Sequence, residues 1–274
     1  MAILETTIER DIDVWPYIHS SMPKSSRLEF YGADSQELYN RNLKYLPANW
    51  LYTNQKIEYN FNNLNLRMRK DIDEVKDRYI LFSGTSFGMG VGIDENDRFS
   101  EQVSIKLGKD FINCCGPSFT IKAQAISFFN FLKSGLNLPK IFVIEYPPSY
   151  AYTYYSDNSF LFYYSKNIPS GNSNHLAAYK HLLETDFFLQ ESNLYRTMIK
   201  STCFRLGIKF VELSFHKTDN FIISNNIGIV DTEDNNTDIN YCYARDLRQH
   251  QGQYAGHPGV GIHTAASNLI LNSL

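Results

Sequence analysis

The sequence has no run of about 18 apolar residues, the length a helix needs to cross a bilayer. Its opening stretch, Met1 to Pro16, mixes acidic and apolar side chains without the basic-then-apolar order of a secretory leader. Both absences lead to the expectation of a cytoplasmic chain with no membrane span. A basic stripe is missing too. The 26 Lys and Arg are interspersed with 29 Asp and Glu, for a formal net charge of -3, so there is no surface to neutralise phosphates and nucleic acid is not an expected partner. Cysteine is scarce: Cys114, Cys115, Cys203 and Cys242 contain no CxxC pair, which argues against a thiolate zinc site or a disulfide scaffold and for small buried side chains. The glycine-rich stretch at 84–92 has no P-loop lysine, so a nucleotide phosphate cradle is disfavoured there. No metal and no cofactor is expected.

What remains is a globular composition, 43% hydrophobic and 20% charged, with 15% aromatic residues that include 19 Tyr and 19 Phe. A chain of 274 residues suffices for one large domain, or one domain with an appendage. From Arg78 onward short apolar runs alternate with amphipathic stretches. Tyr79 to Phe82 reads as a buried strand, and Phe99, Val103 and Leu107 recur at helical spacing up to Gly108. Phe111 to Cys115 reads as a second strand, 121–132 as a helix stopped by Gly135, and Lys140 to Tyr146 as a third strand. A helix over Phe187 to Leu206, with Leu194, Met198 and Leu206 facing the sheet, leads into a strand from Lys209 to Leu213. A short strand from Ile239 to Tyr243 and a final helix from Gly261 to Asn272 complete the pattern.

This is the signature of an α/β fold, a three-layer doubly wound parallel sheet whose ligands gather outside the carboxyl ends of the strands. Residues 1–75, polar and aromatic without a sustained period, are expected to form an N-terminal appendage on a body spanning 76–274. The Tyr-, Ser- and Asn-rich stretch at about 147–186 is expected to be an insertion at the edge of the site.

Two stretches carry chemistry. In the first, YILFSGTSFGMGVG, Ser86 lies just past a strand, with Gly84, Gly88, Gly90 and Gly92 around it. A tight strand-to-helix turn exposes a hydroxyl and offers backbone N–H groups to an oxyanion, although such a turn also serves phosphate binding or plain packing. In the second, from Asp246 to the first turn of the last helix, fall His250, His257 and His263, three of the seven histidines. A serine nucleophile needs a base, and a doubly wound fold would bring this stretch to the same sheet edge.

On these residues the sequence resembles the SGNH (GDSL-type) hydrolases. Gly84-Thr85-Ser86-Phe87 is similar to their first block, Asn113 to Gly116 to their second, and Ala244-Arg245-Asp246 with His257-Pro258-Gly259 and His263 to their last. Asn62 to Arg67 is similar to a segment that often precedes the first block. The resemblance spans about residues 60 to 270. It implies an ester hydrolase with an SGNH, flavodoxin-like architecture, in which Ser86, His257 and Asp246 form a triad and the N–H groups of Ser86 and Gly116 make the oxyanion hole. The substrate implied is an acyl ester, for instance O-acetyl, on a carbohydrate or small molecule.

The chain departs from the family pattern at four points. Thr85 stands where the family has Asp, and Asn65 where it has Gly, Asn being the next best residue for a left-handed turn. After the third strand the chain reads Glu145-Tyr146-Pro147-Pro148 where the family's GxND asparagine should donate to the oxyanion; Ser149 or a tyrosine of the insertion is the expected substitute. Asp246 and His257 are separated by LRQHQGQYAG, so His250 competes as the base, although the HPG sequence favours His257.

Ser149, Tyr150, Tyr152 and His263 are expected to line the substrate site. Tyrosine faces suit sugar C–H surfaces, while a lid packed on its own aromatic core fits the composition better. His263 fits a packed histidine as well as a ligand contact. The competing readings are a catalytically impaired module that binds glycan or builds a virion, and a metal-dependent enzyme using Asp246, His250, His257 and His263.

Overall fold

The structure, a computed structural model, describes residues 5–7, 22–148, 151–156, 159–163, 181–182, 185–215, 228–229, 238–250 and 253–274. The strand β1 (Glu5–Thr7) is followed by β2 (Ser26–Leu28) and β3 (Tyr59–Phe61), which pair antiparallel with α1 (Gln36–Tyr45) in the connection between them. Ser35 caps α1 by accepting from the Leu38 N–H. The side chains of this region are not a loose addition: Trp50, Tyr52, Tyr59, Phe61, Leu66 and Met68 are buried in one hydrophobic cluster with the sheet residues Ile80 to Phe82. Burying each such side chain stabilises the fold by roughly 1.5–3 kcal/mol.

The alternating part runs through β4 (Ile80–Ser83), α2 (Ser86–Met89), α3 (Phe99–Leu107), β5 (Phe111–Asn113), α4 (Ile121–Lys133) and β6 (Ile141–Tyr146). An antiparallel pair, β7 (Tyr152–Ser156) and β8 (Ser159–Tyr163), extends through β8 to β1. The chain then continues as α5 (Phe187–Leu206), β9 (Lys209–Ser214), β10 (Gly228–Ile229), α6 (Ile239–Cys242), the hairpin β11 (Arg248–His250) and β12 (Gln253–Ala255), and α7 (Val260–Asn272).

Five strands form a parallel sheet in the order β10-β9-β6-β4-β5. Every residue of β4 and β6 is buried, as expected of central strands covered on both faces. The connection leaving β4 travels outward to β5, whereas the one leaving β6 travels the other way to β9. With right-handed crossovers, opposite directions of travel put helices on opposite faces. Accordingly α3 packs with α7, and α4 with α5. This is the doubly wound α/β fold expected from the sequence, and its switch point lies between β4 and β6. Phe128 of α4 stacks on Phe142 of β6 at 4.6 Å between ring centroids, while Phe82 and Phe99 meet edge-on at 5.7 Å.

Two local expectations are corrected. Residues 239–242 form a helical turn and not a strand, because the Asp238 side chain accepts from the Asn240 N–H at 2.9 Å and the Tyr243 N–H returns to the Ile239 carbonyl. In α5, Leu194, Met198 and Leu206 face outward, 58%, 42% and 42% exposed, while Phe188, Ser192, Ile199 and Cys203 are buried. The smaller Ser192 and Cys203 allow close approach where the longer apolar chains would not fit. Cys114, Cys115 and Cys203 are free and buried, and Cys242 is partly so. Among the described residues, no helix is long and apolar enough to cross a membrane.

Candidate active site

Ser86 opens α2 immediately beyond the carboxyl end of β4, at the switch point, and is half-buried. The turn is built by its neighbours. Thr85 caps α2 through its hydroxyl, which accepts from the Phe87 N–H at 3.1 Å, and Gly90 ends the helix with φ +78°. The carbonyls at that end, of Met89 and Gly90, accept from the buried guanidinium of Arg67, which also donates to the Ile93 carbonyl at 2.7 Å. Burial, then the nearby Arg98 charge, pull the Arg67 guanidinium down to about 10. The approach to Arg67 turns at Asn65, whose φ of +61° is the left-handed conformation that Asn tolerates better than most residues.

Asp246 and His257 are together. Asp246 Oδ2 lies 2.7 Å from His257 Nδ1, and Asp246 Oδ1 accepts from the His257 backbone N–H at 3.1 Å. The intervening residues form the β11–β12 hairpin, with Arg248 opposite Ala255, so the stretched spacing folds back on itself and returns the histidine to the aspartate. His250 sits at the far end of the hairpin, and its side chain lies outside the described residues. Burial alone would raise the Asp246 carboxyl. The His257 charge and the two hydrogen bonds outweigh burial and hold the carboxyl below its usual value. With Nδ1–H directed at Asp246, Nε2 is left as the basic nitrogen.

The two distant stretches meet. The His257 ring packs edge-on against Phe87, the residue after Ser86, at 5.4 Å between centroids. Below, the Arg245 N–H donates to the Gly92 carbonyl at 2.8 Å. Gly92 is required there: φ is +81°, and a Cβ would stand 2.8 Å from Ala244 Cβ.

The 244–247 loop is gripped from the N-terminal region. Arg245, buried, donates to Asp34 twice, Nε to Oδ1 at 3.0 Å and Nη2 to Oδ2 at 2.8 Å, and also to the Glu29 carbonyl. Its guanidinium lies 4.2 Å from the Phe30 ring centroid. Asn42 donates to the Leu247 carbonyl at 2.7 Å. Tyr59 links both halves, donating to Asp34 and accepting from the Gly92 N–H at 2.7 Å.

Behind Ser86 lies a residue that sequence reading missed. Glu145, in the fully buried strand β6, accepts from the Thr85 N–H, the Thr85 hydroxyl at 3.1 Å and the Gly88 N–H. A lone carboxylate within KIFVIEY was the available signal.

Other expected site residues fall differently. The Gly116 N–H donates to the Gly84 carbonyl at 3.0 Å, so this expected oxyanion donor is already engaged. His263 is fully buried, its ring stacked on Phe99 and its Nδ1 accepting from the Phe99 N–H at 3.2 Å; the expectation that it lines a substrate site is corrected, since it has no surface to offer. Ser149 and Tyr150 lie outside the described residues, and of Tyr152 only the strand backbone is described. Among the described residues no group of three or more His, Cys, Asp or Glu could hold a metal ion.

No family model and no curated protein matches the sequence. Among solved structures, the chain is similar to a protein assigned to the lipolytic G-D-S-L family from Desulfitobacterium hafniense DCB-2. The identity is 10%, the match covers 72% of this chain and 100% of that one, and the TM-score is 0.42. A member of the same family from Veillonella parvula DSM 2008 matches at 10% identity over 71% of this chain and 96% of its own, with a TM-score of 0.33.

Proposed function

We propose that the chain is a serine ester hydrolase of the SGNH (GDSL-like) type, cleaving an acyl ester, for instance O-acetyl, from a carbohydrate or small molecule. The observation that carries this reading is the Asp246-bound His257 packed against the Ser86 turn through Phe87. In the reaction Ser86 Oγ adds to the ester carbonyl carbon while His257 Nε2 takes its proton, and the carbonyl π pair moves onto oxygen. The tetrahedral anion collapses, the C–O bond to the alcohol breaks, and His257 returns the proton to the leaving alkoxide. Water, deprotonated by His257, then adds to the acyl-serine and releases the acid and free Ser86. Asp246 holds the imidazole tautomer and stabilises the imidazolium. The Ser86 N–H, at the head of α2 where helical N–H groups lack intrahelical partners, serves the oxyanion. A second donor is sought in Ser149 or the tyrosines at 150 and 152, just beyond β6.

A second reading, a catalytically impaired module that keeps the fold for binding, is favoured by two observations: the Gly116 N–H donates to the Gly84 carbonyl, and Tyr146-Pro147 follow Glu145 where an amide donor would be needed. Missing one such donor costs roughly 100- to 1000-fold in rate.

Labelling by a fluorophosphonate and hydrolysis of p-nitrophenyl acetate separate the two. The hydrolase reading expects one labelled site, lost together with turnover in Ser86→Ala while the circular dichroism spectrum is unchanged. Undiminished turnover in that variant removes Ser86 from the mechanism. A folded wild type inert to both reagents leaves the binding module.

A further inference from the structure

Three positions in the Ser86 turn are shaped by one side chain from the neighbouring strand. At Gly84 a Cβ would stand 2.5 Å from Glu145 Oε2, and at Gly88 it would stand 3.3 Å from the same oxygen and 2.7 Å from Cys115 Sγ. Glu145 leaves no room for a side chain at Gly84, and at Gly88 the Cys115 sulfur excludes one, with Glu145 in close contact beside it. Thr85, between them, gives Glu145 both its N–H and its hydroxyl. The residues before and after Ser86 in the turn are therefore fastened to a carboxylate that lies on the other side of the switch point.

We propose that Glu145 is a positioning residue for Ser86, its carboxylate collecting the Thr85 N–H, the Thr85 hydroxyl and the Gly88 N–H so that the serine backbone is held at a fixed height and angle beyond β4. This rests on the reading of Ser86 as nucleophile. The carboxylate touches no reacting atom. It acts through the backbone at positions 85 and 88, one residue before and two after the serine.

The chemistry of the pocket fits a carboxylate better than any neutral replacement. A carboxylate is acceptor-only and can accept from all three, whereas a glutamine amide of the same shape has one acceptor oxygen and must turn its NH2 group either toward a backbone N–H, donor against donor, or toward the Thr85 hydroxyl, which must then stop donating and accept. The side chain is fully buried, and the Cys115 sulfur lies against the same two glycines. Burial raises the Glu145 carboxyl to about 7, against the opposing pull of the Thr85 and Gly88 hydrogen bonds, and the charge on Glu145 in turn adds to the effect of burial in pushing the Cys115 thiol up. Without the carboxylate the buried donors around it would be left unsatisfied.

The test uses Glu145→Gln, Thr85→Val and Thr85→Ser in the full chain, read by p-nitrophenyl acetate kinetics, the rate of fluorophosphonate labelling at Ser86, and amide hydrogen exchange over 84–90. Glu145→Gln is expected to lower kcat and the labelling rate together by roughly 10- to 100-fold, the scale of a misplaced reacting group, with KM little changed and exchange at Thr85 and Gly88 accelerated. Thr85→Val should reproduce part of this loss, and the double variant should lose less than the product of the two single effects. Thr85→Ser, which keeps the hydroxyl, should stay near wild type. Wild-type kcat and labelling rate in Glu145→Gln would overturn the proposal. Should the wild type prove inert to both reagents, the hydrolase reading fails by itself, and the exchange measurement still decides: unchanged protection at 85 and 88 in Glu145→Gln refutes the anchoring, and faster exchange supports it. Should Glu145→Gln fail to fold, the Thr85 pair carries the decision, equal kcat and exchange in Thr85→Val and Thr85→Ser being the refuting result.

Discussion

Replacing Arg245 with methionine keeps much of the side-chain volume and removes the guanidinium that ties the 244–247 loop to the N-terminal region. Arg245 and Asp34 are each 1% exposed and share two hydrogen bonds, at 3.0 and 2.8 Å. After the change, the Tyr59 hydroxyl is the one side-chain partner Asp34 keeps among the described residues, and the buried carboxylate has lost its paired guanidinium. Breaking a buried pair by removing one partner costs about 3–5 kcal/mol, mostly through the charge left behind. With a urea slope of about 3 kcal/mol/M, a loss of that size moves the unfolding midpoint down by about 1–1.7 M. The second variant, Asp34→Asn/Arg245→Met, removes the stranded charge but keeps an acceptor for Tyr59, and should recover more than half of the loss. The assay is urea unfolding followed by tryptophan fluorescence and circular dichroism at pH 7. A midpoint shift below about 0.5 M for Arg245→Met, or no recovery in the double variant, would mean that Asp34 is not stranded and that the grip on the loop is weaker than the geometry implies.

Two further outcomes follow from the same site. Asp246→Asn offers an amide to His257 Nδ1 and favours the wrong tautomer, so on the hydrolase reading kcat for p-nitrophenyl acetate should fall on the order of 10^4-fold with the fold intact; a loss under tenfold would take Asp246 out of the triad. His263 gives a pH signature: burial first, then the Arg98, Arg67 and His257 charges, lower it to about 3, so the unfolded chain takes up a proton that the folded one refuses. Stability contributed by the neutral ring is complete above about pH 6.5 and falls by about 1.4 kcal/mol per pH unit as the pH drops toward 3, to a ceiling of about 5 kcal/mol. His263→Asn, which keeps an acceptor for the Phe99 N–H, should flatten that slope in urea titrations between pH 6.5 and 4, and an unchanged slope would show that the histidine is not held neutral.

The alternating β and α runs were legible because each is bounded by a local stop. Gly108 and Gly207 end α3 and α5 in the left-handed conformation, and α5 falls over the residues its periodicity predicts. Which side of α5 faces inward was not legible, since Ser192 and Cys203 look no more apolar than Leu194 and Met198, and close packing decides the matter. The four residues of α6 are too few to show a period, and their Ile and Tyr content suggests a strand until the Asp238 cap is seen. The Asp246–His257 partnership was readable from the sequence, but the hairpin that makes it possible was not, because nothing within LRQHQGQYAG states that its ends return to one point. Asp34 and Arg245 stand 211 residues apart with no local pattern to join them, and Glu145 reads as an isolated charge until the donors of the Ser86 turn surround it.

The β11–β12 hairpin has a consequence for how this chain can be altered. Its strands leave and re-enter at one doorway, Arg248 opposite Ala255, just inside the aspartate and the histidine. Lengthening or trimming it by matched pairs of residues would preserve the doorway, whereas adding a single residue to one arm would turn every side chain of that arm over. Matched changes in its length would therefore leave the contact between Asp246 and His257 in place.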